Sequence, residues 1–402
     1  MPCARASMDG GSTVFATVFL PGGKHLLAAC GTGKAYIWEV DPLLDAAYWE
    51  SSQPGHKPAP LVVHQLHDCA IFSVCLLSDS VLLTGGDDCI KAWQIDSLLP
   101  GRGKAPQPMH KLVPPQIEVG RGGRLPVAET NGLAVNASRS AFYSACGDGR
   151  AYCWDSTTFK LRAKLEGHTN YLHCVACQGD NAVATGSEDG TVRIWDARDP
   201  SEPEELVSSG AAPNGARPSW IGAVDIDESG QWVVAGGGGR SVGMWHLPSR
   251  KLVANMPTCG AVHALQFCGD KLVSGGAEPA VYLWSRSGVF MCGFPPVATR
   301  ASTRAPAHVR NNAVPAVCLT LCVAWPGKLC ARVAAPQDTI YSLATRSLSQ
   351  GAASCACVHA CLRSCACVCV CVRHIRVSVC MYDKHAQSRG QEPGGGPENP
   401  SR

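Results

Sequence analysis

The sequence has little charge and no long apolar run. Asp, Glu, Lys and Arg make up only 17% of its 402 residues, and the formal net charge is +3. So small a net charge does not by itself indicate binding to nucleic acid. No run approaches the roughly 20 apolar residues of a membrane span, and the opening MPCARASMDGGS lacks the apolar segment of a signal peptide. These absences predict a protein of the cytosol or nucleus with no membrane partner.

Cysteine and glycine, by contrast, are abundant, at 23 and 42 residues. Without a secretory signal the thiols are expected to stay mostly reduced. Those in apolar stretches, such as Cys75, Cys146, Cys174 and Cys268, are expected to act as small buried hydrophobes. The glycine content is typical of a chain with many tight turns.

One stretch, Leu165 to Arg198, carries the clearest pattern: LEGHTNYLHCVACQGDNAVATGSEDGTVRIWDAR. It opens with the pair Gly167 and His168 and closes with the pair Trp195 and Asp196. Between them, three short apolar stretches are separated by two polar turns, which predicts three strands joined by tight turns. The pattern resembles one blade of a WD40 β-propeller, whose repeat is roughly 40 to 45 residues long.

Related copies of this pattern recur along the chain, each with a tryptophan near the end of its third strand. These tryptophans are Trp38, Trp93, Trp154, Trp195, Trp245 and Trp284. A single blade cannot bury both faces of its sheet, so the copies are expected to stack around a common axis. The sequence therefore predicts an all-β fold, a WD40 β-propeller with six legible blades in residues 13–290 and insertions at 41–60 and 97–126.

The pattern weakens on either side of this domain. Residues 291–347 are expected to form a degenerate seventh blade or irregular structure, because no tryptophan closes a third strand there. Residues 348–402, first rich in Cys and Val and then in Gly and Pro, are expected to form a disordered tail, and residues 1–12 a disordered N-terminus. A TG repeat read in frame encodes alternating Cys and Val, so translated non-coding sequence explains the tail. A thiolate metal cluster is the alternative.

Four residues of the clearest blade, His168, Thr185, Asp189 and Trp195, superficially resemble an acid, base and nucleophile set. The resemblance to a WD40 blade implies a structural role instead: His, Thr and Trp form a chain of hydrogen bonds, and the turn Asp fixes the His. Such a network satisfies buried polar groups that would otherwise cost about 1 to 3 kcal/mol each. We therefore predict no catalytic residue, no cofactor, no metal ligand and no small-molecule substrate.

Other blades keep only parts of this tetrad, which is typical of a scaffold. The predicted remnants are Asp87 with His67, Ser144 with Asp148, and Ser274 with Glu278. The glycine run at residues 236–239 lies between two predicted strands with no helix after it, so it is predicted to be a turn and not a phosphate-binding loop.

Three stretches narrow the resemblance: HDCAIFSV with LLTGGDDCIKAW, the clearest blade, and RPSWIGAVDIDESGQWVVAGGGG with VGMWHL. Together they are similar to the WD40 family that supplies the sixth subunit of the THO complex. The most family-specific residues are Arg217, Pro218, Trp220, Ile221 and Gly222, together with the glycine run at residues 236–239 and Trp245. The resemblance implies a seven-bladed, non-enzymatic, nuclear scaffold that binds other subunits of the THO/TREX assembly in mRNA processing and export.

A second hypothesis starts from the end of the same blade, Trp195 to Arg198. This Trp-Asp-x-Arg sequence resembles the box by which WD40 substrate receptors dock on the adaptor of cullin-4 ubiquitin ligases. Asp196 and Arg198 are the implied contacts, because a planar guanidinium suits an interface.

The insertion at residues 97–126 supports a third hypothesis. Its basic residues include Arg102, Lys104, Arg121 and Arg124, against one acid, Glu118. The segment is either a solvated flexible loop or a basic arm that contacts RNA phosphates or an acidic partner, and any RNA contact is expected to be indirect or weak.

Overall fold

The chain is seen here in a computed structural model. The residues that the structure describes are 13–44, 59–101, 105–116, 118–119, 123–124, 126–207, 219–277, 281–285, 290–293, 318–324, 340–348, 355–362 and 367–370. Their regular structure is almost entirely β, which confirms the predicted all-β class. Within these ranges, none of the short helices has the length and hydrophobicity to cross a membrane.

Six four-stranded sheets follow one another along the chain, one for each tryptophan of the repeat. In each sheet the strands pair in chain order, so the first and fourth strands form its two edges. The first three sheets contain β1 Val14–Phe19, β2 His25–Cys30, β3 Lys34–Glu39 and β4 Val62–Gln65; β5 Ile71–Leu76, β6 Val81–Gly86, β7 Ile90–Gln94 and β8 His110–Leu112; and β11 Thr130–Val135, β12 Ala141–Cys146, β13 Arg150–Asp155 and β14 Leu161–Glu166. The next three contain β15 Leu172–Gln178, β16 Ala182–Ser187, β17 Thr191–Asp196 and β18 Asp199–Val207; β19 Ile221–Ile226, β20 Trp232–Gly237, β21 Ser241–His246 and β22 Lys251–Pro257; and β23 Val262–Cys268, β24 Lys271–Gly276, β25 Val281–Ser285 and β26 Phe290–Gly293.

Apolar side chains fill the spaces between neighbouring sheets. Leu27 of the first sheet packs with Leu82 and Trp93 of the second, and Tyr143 of the third packs with Trp195 of the fourth. All six repeat tryptophans lie in the third strands and are buried. A large buried aromatic side chain contributes strongly to a core, so the repeated tryptophan joins each of the second to sixth sheets to the sheet before it.

The first strands of successive sheets lie side by side around the centre of the ring: β1 beside β5, β5 beside β11, and so on to β19 beside β23. This is the radial stacking predicted for a propeller. The ring is completed by a seventh sheet, whose strands are β27 Cys318–Ala324, β28 Ile340–Leu348, β29 Cys355–Leu362 and β30 Cys367–Val370. Strand β28 lies beside both β23 and β1.

The seventh sheet does not pair in chain order. Its order is β28, β29, β27, β30, and β27 pairs with β30 in parallel. The sequence predicts either a degenerate or a lost seventh blade, and the irregular strand order matches the degenerate form. Strands β29 and β30 lie within the segment from residue 348. The Val residues that alternate with Cys there favour strands, because β-branched residues suit a pleated sheet. The predicted disorder of residues 1–12 and 371–402 lies outside the described residues.

The two predicted insertions interrupt the first and second sheets. The first begins with helix α1, Asp41–Leu44. The second overlaps helix α2, Ile95–Leu98, and contains a two-stranded sheet of β9, Glu118–Val119, and β10, Gly123–Arg124. It also contains β8, so the outer strand of the second sheet lies inside a segment predicted to be an insertion. A 3-10 turn, Leu247–Ser249, precedes β22.

Candidate functional site

The structure brings the four tetrad residues of the fourth blade together. His168 Nδ1 lies 2.8 Å from Asp189 Oδ2, and His168 Nε2 lies 2.8 Å from Thr185 Oγ1. Trp195 Nε1 donates to the same hydroxyl at 2.8 Å. An ionised carboxylate only accepts, so Nδ1 carries the proton that it donates to Asp189. Both nitrogens of a fully buried imidazole are therefore occupied, which suits a structural role.

The carboxyl group of Asp189 anchors this turn. It accepts from the backbone N–H groups of Thr169 and Thr191 as well as from His168. Burial raises the pKa of Asp189, but hydrogen bonds from His168 and Thr191 outweigh burial and hold this pKa well below its usual range. The ionised form is thus part of the folded blade.

The second blade keeps three of the four positions. His67 Nε2 lies 2.7 Å from Thr84 Oγ1, and Trp93 Nε1 donates to that oxygen at 2.9 Å. The sequence keeps Asp87 as well as His67 in this blade. The carboxylate of Asp87 accepts from the backbone N–H of Ala70, and His67 Nδ1 makes no hydrogen bond among the described residues. Thr84 was missed by the sequence reasoning, although it stands where Thr185 stands in the fourth blade.

The third and sixth blades keep only the link between hydroxyl and tryptophan. Trp154 Nε1 donates to Ser144 Oγ at 3.0 Å, and Trp284 Nε1 donates to Ser274 Oγ at 2.9 Å. The acid that the third blade retains, Asp148, accepts from the Tyr152 hydroxyl at 2.5 Å. The acid that the sixth blade retains, Glu278, lies outside the described residues.

Arg198 and Asp196, the predicted adaptor contacts, lie on the surface just after β17 and bind each other. Arg198 Nε donates to Asp196 Oδ1 at 2.9 Å and Nη2 donates to Oδ2 at 2.5 Å, while the Arg198 side chain is 71% exposed. The hydrogen bonds from Arg198 lower the pKa of Asp196 to about 2. The guanidinium is therefore accessible, but the edge that carries Nε and Nη2 is already hydrogen-bonded to a carboxylate of its own blade.

Three residues of the predicted basic arm, Arg102, Lys104 and Arg121, lie outside the described residues. The fourth, Arg124, is described only as a backbone position in β10, where it pairs with Glu118. The basic arm therefore stays a prediction from the sequence.

A repeated irregularity in the first strands defines a surface that the sequence reasoning missed. In each of the six regular sheets, the pairing of the first and second strands shifts just after the first residue, which leaves one extra residue on the inner strand. Such a bulge re-aims a side chain. The six extra residues, which we name the inner rim, are Phe15, Phe72, Asn131, His173, Gly222 and His263, and all are half-buried. The inner strand of the seventh sheet shows the same shift, at Tyr341.

Aromatic rings lie along the inner rim in close contact. The rings of Phe15 and Phe72 meet edge to face with centroids 5.2 Å apart. Trp220, just before β19, lies between His173 and His263, with centroid distances of 5.9 and 5.2 Å. Aromatic groups with an exposed edge are typical of protein-interaction surfaces.

The family-specific stretch explains how Trp220 is held. A Cβ at Gly222 would lie 2.4 Å from the Trp220 ring, and a Cβ at Gly238 would lie 2.6 Å from Trp220 Nε1. A side chain at either position would therefore displace the indole. The run at residues 236–239 ends β20 and forms the following turn, so its glycines make room for Trp220. Arg217 and Pro218 lie outside the described residues.

Two carboxylates flank the rim beside the fourth blade. Glu129 accepts a hydrogen bond from the hydroxyl of Tyr171, and Glu188 Oε1 lies 3.2 Å from His173 Nε2. The bond to Glu129 raises the pKa of Tyr171 to about 12. Burial, together with the neighbouring His173, lowers the pKa of His263. This part of the rim therefore combines neutral rings with negative charge, a combination that suits a partner with basic side chains.

Comparison with known proteins adds two findings. The family described as "WD domain, G-beta repeat" matches residues 159–196. The chain is 30% identical to "THO complex subunit 6" of Homo sapiens over 281 residues, 69% of this chain and 77% of that protein. It is 29% identical to "THO complex subunit 6 homolog" of Danio rerio over 67% of this chain and 79% of that protein. For "THO complex subunit 6" of Arabidopsis thaliana the identity is 29%, and the chain spans 59% of that protein's length.

Proposed function

The chain belongs to the THO complex subunit 6 family, and on this basis we propose that it is a non-enzymatic scaffold subunit of a THO complex, acting in nuclear mRNA processing and export with other THO/TREX subunits. The observation that carries the proposal is the similarity to the human protein, which covers 77% of that protein's length. The aligned length, 281 residues, is also about that of the six regular sheets together.

A scaffold role fits the chemistry of the tetrad. The side chain of His168 is fully buried, and both of its nitrogens are hydrogen-bonded. An imidazole held in this way cannot meet a substrate, although a general base must lie within hydrogen-bond reach of the proton it abstracts. The residue set that most resembles a catalytic one is therefore better explained by stability than by catalysis.

The inner rim is the surface we assign to partner binding. It presents rings from several blades at one edge of a rigid ring, so a partner segment can contact many blades at once. Interface energy usually concentrates in aromatic anchors of this kind. Tyr171 is 36% exposed and lies beside the carboxylates of Glu129 and Glu188, so we expect the bound segment to carry basic residues.

The test is co-purification of the full chain with other THO subunits from nuclei, with two double variants compared. Phe72→Ala with Tyr171→Ala removes one ring of the inner rim and the neighbouring ring that contacts His173, and we expect it to reduce recovery of the subunits. Leu161→Ala with Val253→Ala is the matched control, because these side chains are also exposed but lie on the fourth strands β14 and β22. The control is expected to retain wild-type recovery.

The outcomes separate the two parts of the proposal. If the wild-type chain recovers no THO subunit, the proposed function is wrong. If both double variants recover the subunits equally well, the function stands and the inner rim is not the docking face.

Docking on a cullin-4 adaptor stays a prediction centred on Asp196 and Arg198. Their mutual ion pair would have to open before Arg198 could bind a partner, and solvent-exposed ion pairs contribute little to stability. The cost of opening it is therefore small. RNA contact through the arm of Arg102, Lys104, Arg121 and Arg124 likewise stays a prediction.

A further inference from the structure

The second blade contains a buried imidazole nitrogen without a partner. His67 is 1% exposed, and its Nε2 is held by Thr84, but its Nδ1 makes no hydrogen bond within the described part of the chain. In the fourth blade the corresponding nitrogen of His168 is met by Asp189. Leaving such a group unpaired is unfavourable, so the second blade lacks a stabilising contact that the fourth blade has.

A shorter turn explains the missing contact. Trp93 follows Thr84 by nine residues, whereas Trp195 follows Thr185 by ten. Asp88 stands four residues after the hydroxyl, as Asp189 does in the fourth blade, but its carboxylate is drawn toward Cys89 and Lys111, at 3.1 and 3.2 Å. The shortened turn thus replaces the link between His and Asp with a cluster of three different side chains. In this cluster a nitrogen of His67, a carboxylate oxygen of Asp88 and Sγ of Cys89 lie within 4.8 Å of one another.

We propose that His67, Asp88 and Cys89 form a zinc-binding site. Imidazole, carboxylate and thiolate are the three side-chain ligand types that zinc uses, at about 2.0 to 2.3 Å. Tetrahedral ligands at those lengths lie roughly 3.3 to 3.8 Å apart, so small side-chain movements would bring the three atoms into range. A set that mixes sulfur with nitrogen also disfavours magnesium and calcium, which prefer oxygen ligands.

The surroundings of the cluster support this assignment. Metal-bound histidines usually have their second nitrogen held by another group, and Thr84 holds Nε2 of His67 here. His67 Nδ1 makes no hydrogen bond among the described residues, so its lone pair is available to a metal ion. The carboxylate side of the cluster faces solvent, since the Asp88 side chain is 50% exposed. That side gives the ion an entry path and leaves a fourth position for water.

Binding changes the protonation of one ligand. The thiol of Cys89, whose pKa burial and Asp88 raise to about 12, must lose its proton to solvent as the bond between zinc and sulfur forms. The ammonium of Lys111, which is about half exposed, leaves Asp88 at the same time. Zinc thus supplies the positive charge that Lys111 provides in the metal-free blade.

The site can be tested on the full chain by measuring zinc content after dialysis and cobalt(II) absorption after exchange. Asp88→Asn changes an exposed side chain and leaves the core intact, and Cys89→Ser removes the sulfur ligand. Each variant is expected to lose about one zinc per chain or to bind it at least about tenfold more weakly, since even outer-shell partners are worth about 10- to 100-fold. Cys89→Ser should also abolish a charge-transfer band from thiolate to cobalt.

Cys146→Ser is the matched control, because Cys146 is equally buried but lies beside the hydroxyl groups of Thr130 and Ser144. Its zinc content is expected to equal that of the wild type. Zinc content that is the same in the wild type, Asp88→Asn and Cys89→Ser overturns the proposal, as does an equal loss in Cys146→Ser. Should Cys89→Ser fail to fold, the comparison of Asp88→Asn with the wild type decides.

Discussion

Replacing Trp195 by Ala tests whether the blade tryptophans hold the ring together. The side chain is 1% exposed and packs between the third and fourth sheets. Deleting a buried aromatic side chain costs about 3 to 5 kcal/mol, and Thr185 would also lose the donor that lies 2.8 Å away. For a domain of this size each kcal/mol lowers the Tm by roughly 2 to 4 °C. We therefore expect a fall of roughly 6 to 20 °C.

Thermal unfolding followed by circular dichroism measures this fall. Trp232→Ala is the matched control, because Trp232 is also in the ring, in β20, but is only half-buried. Trp195→Phe separates the two contributions, since it keeps most of the apolar surface and loses only the hydrogen bond, at a cost of about 1 to 3 kcal/mol. A fall for Trp195→Ala no larger than that for Trp232→Ala would refute the packing assigned to the repeat.

Two further predictions concern the acid stability of the fourth blade and the seventh sheet. The pKa of Asp189 is lowered on folding, so its contribution to stability is complete above its unfolded pKa of about 3.9 and is lost as pH falls through its folded value. The free energy of unfolding, measured with urea at a series of acid pH values, should therefore depend less on pH for Asp189→Asn than for the wild type. An equal pH dependence in the two proteins would contradict this. A chain ending at residue 347 lacks β29 and β30 and leaves β28 without its hairpin partner. It should therefore have a lower Tm and aggregate more than a chain ending at residue 370. Equal Tm and solubility of the two chains would show that β29 and β30 do not stabilise the ring.

The six regular sheets could be predicted from the sequence because each third strand carries a buried tryptophan near its end. The fourth strands were harder to predict. Strand β8 consists of only His110, Lys111 and Leu112, which is too short to show an alternation, and β18 runs through the acidic sequence DPSEPEELV. The position of such strands is set by pairing with the strand already in place, a tertiary effect that local pattern does not report.

The candidate site was predicted unevenly for similar reasons. The tetrad of His168 follows a local motif, so its members could be named in advance. A bulge depends on the register between two strands, and so the inner rim could not be read from one strand alone. A weak signal does exist, because Ile71-Phe72-Ser73 and Ile340-Tyr341-Ser342 share the same order of residue types at the start of an inner strand. The turn between β6 and β7 is one residue shorter than the turn between β16 and β17, and this difference is visible in the sequence. Its effect on the position of the Asp88 carboxylate is not.

The seventh sheet has a consequence for how the chain matures during synthesis. All four of its described strands come from the C-terminal part of the chain, and its inner strand must reach β1, near the other end. The sixth sheet is complete at residue 293, and the hairpin partner of β28 is complete at residue 362. A ribosome adds residues at about 5 to 20 per second, so these 69 residues take roughly 3 to 14 s. Over that interval the nascent ring is open, with the flanks of two sheets uncovered, and these are the surfaces that a chaperone would have to shield.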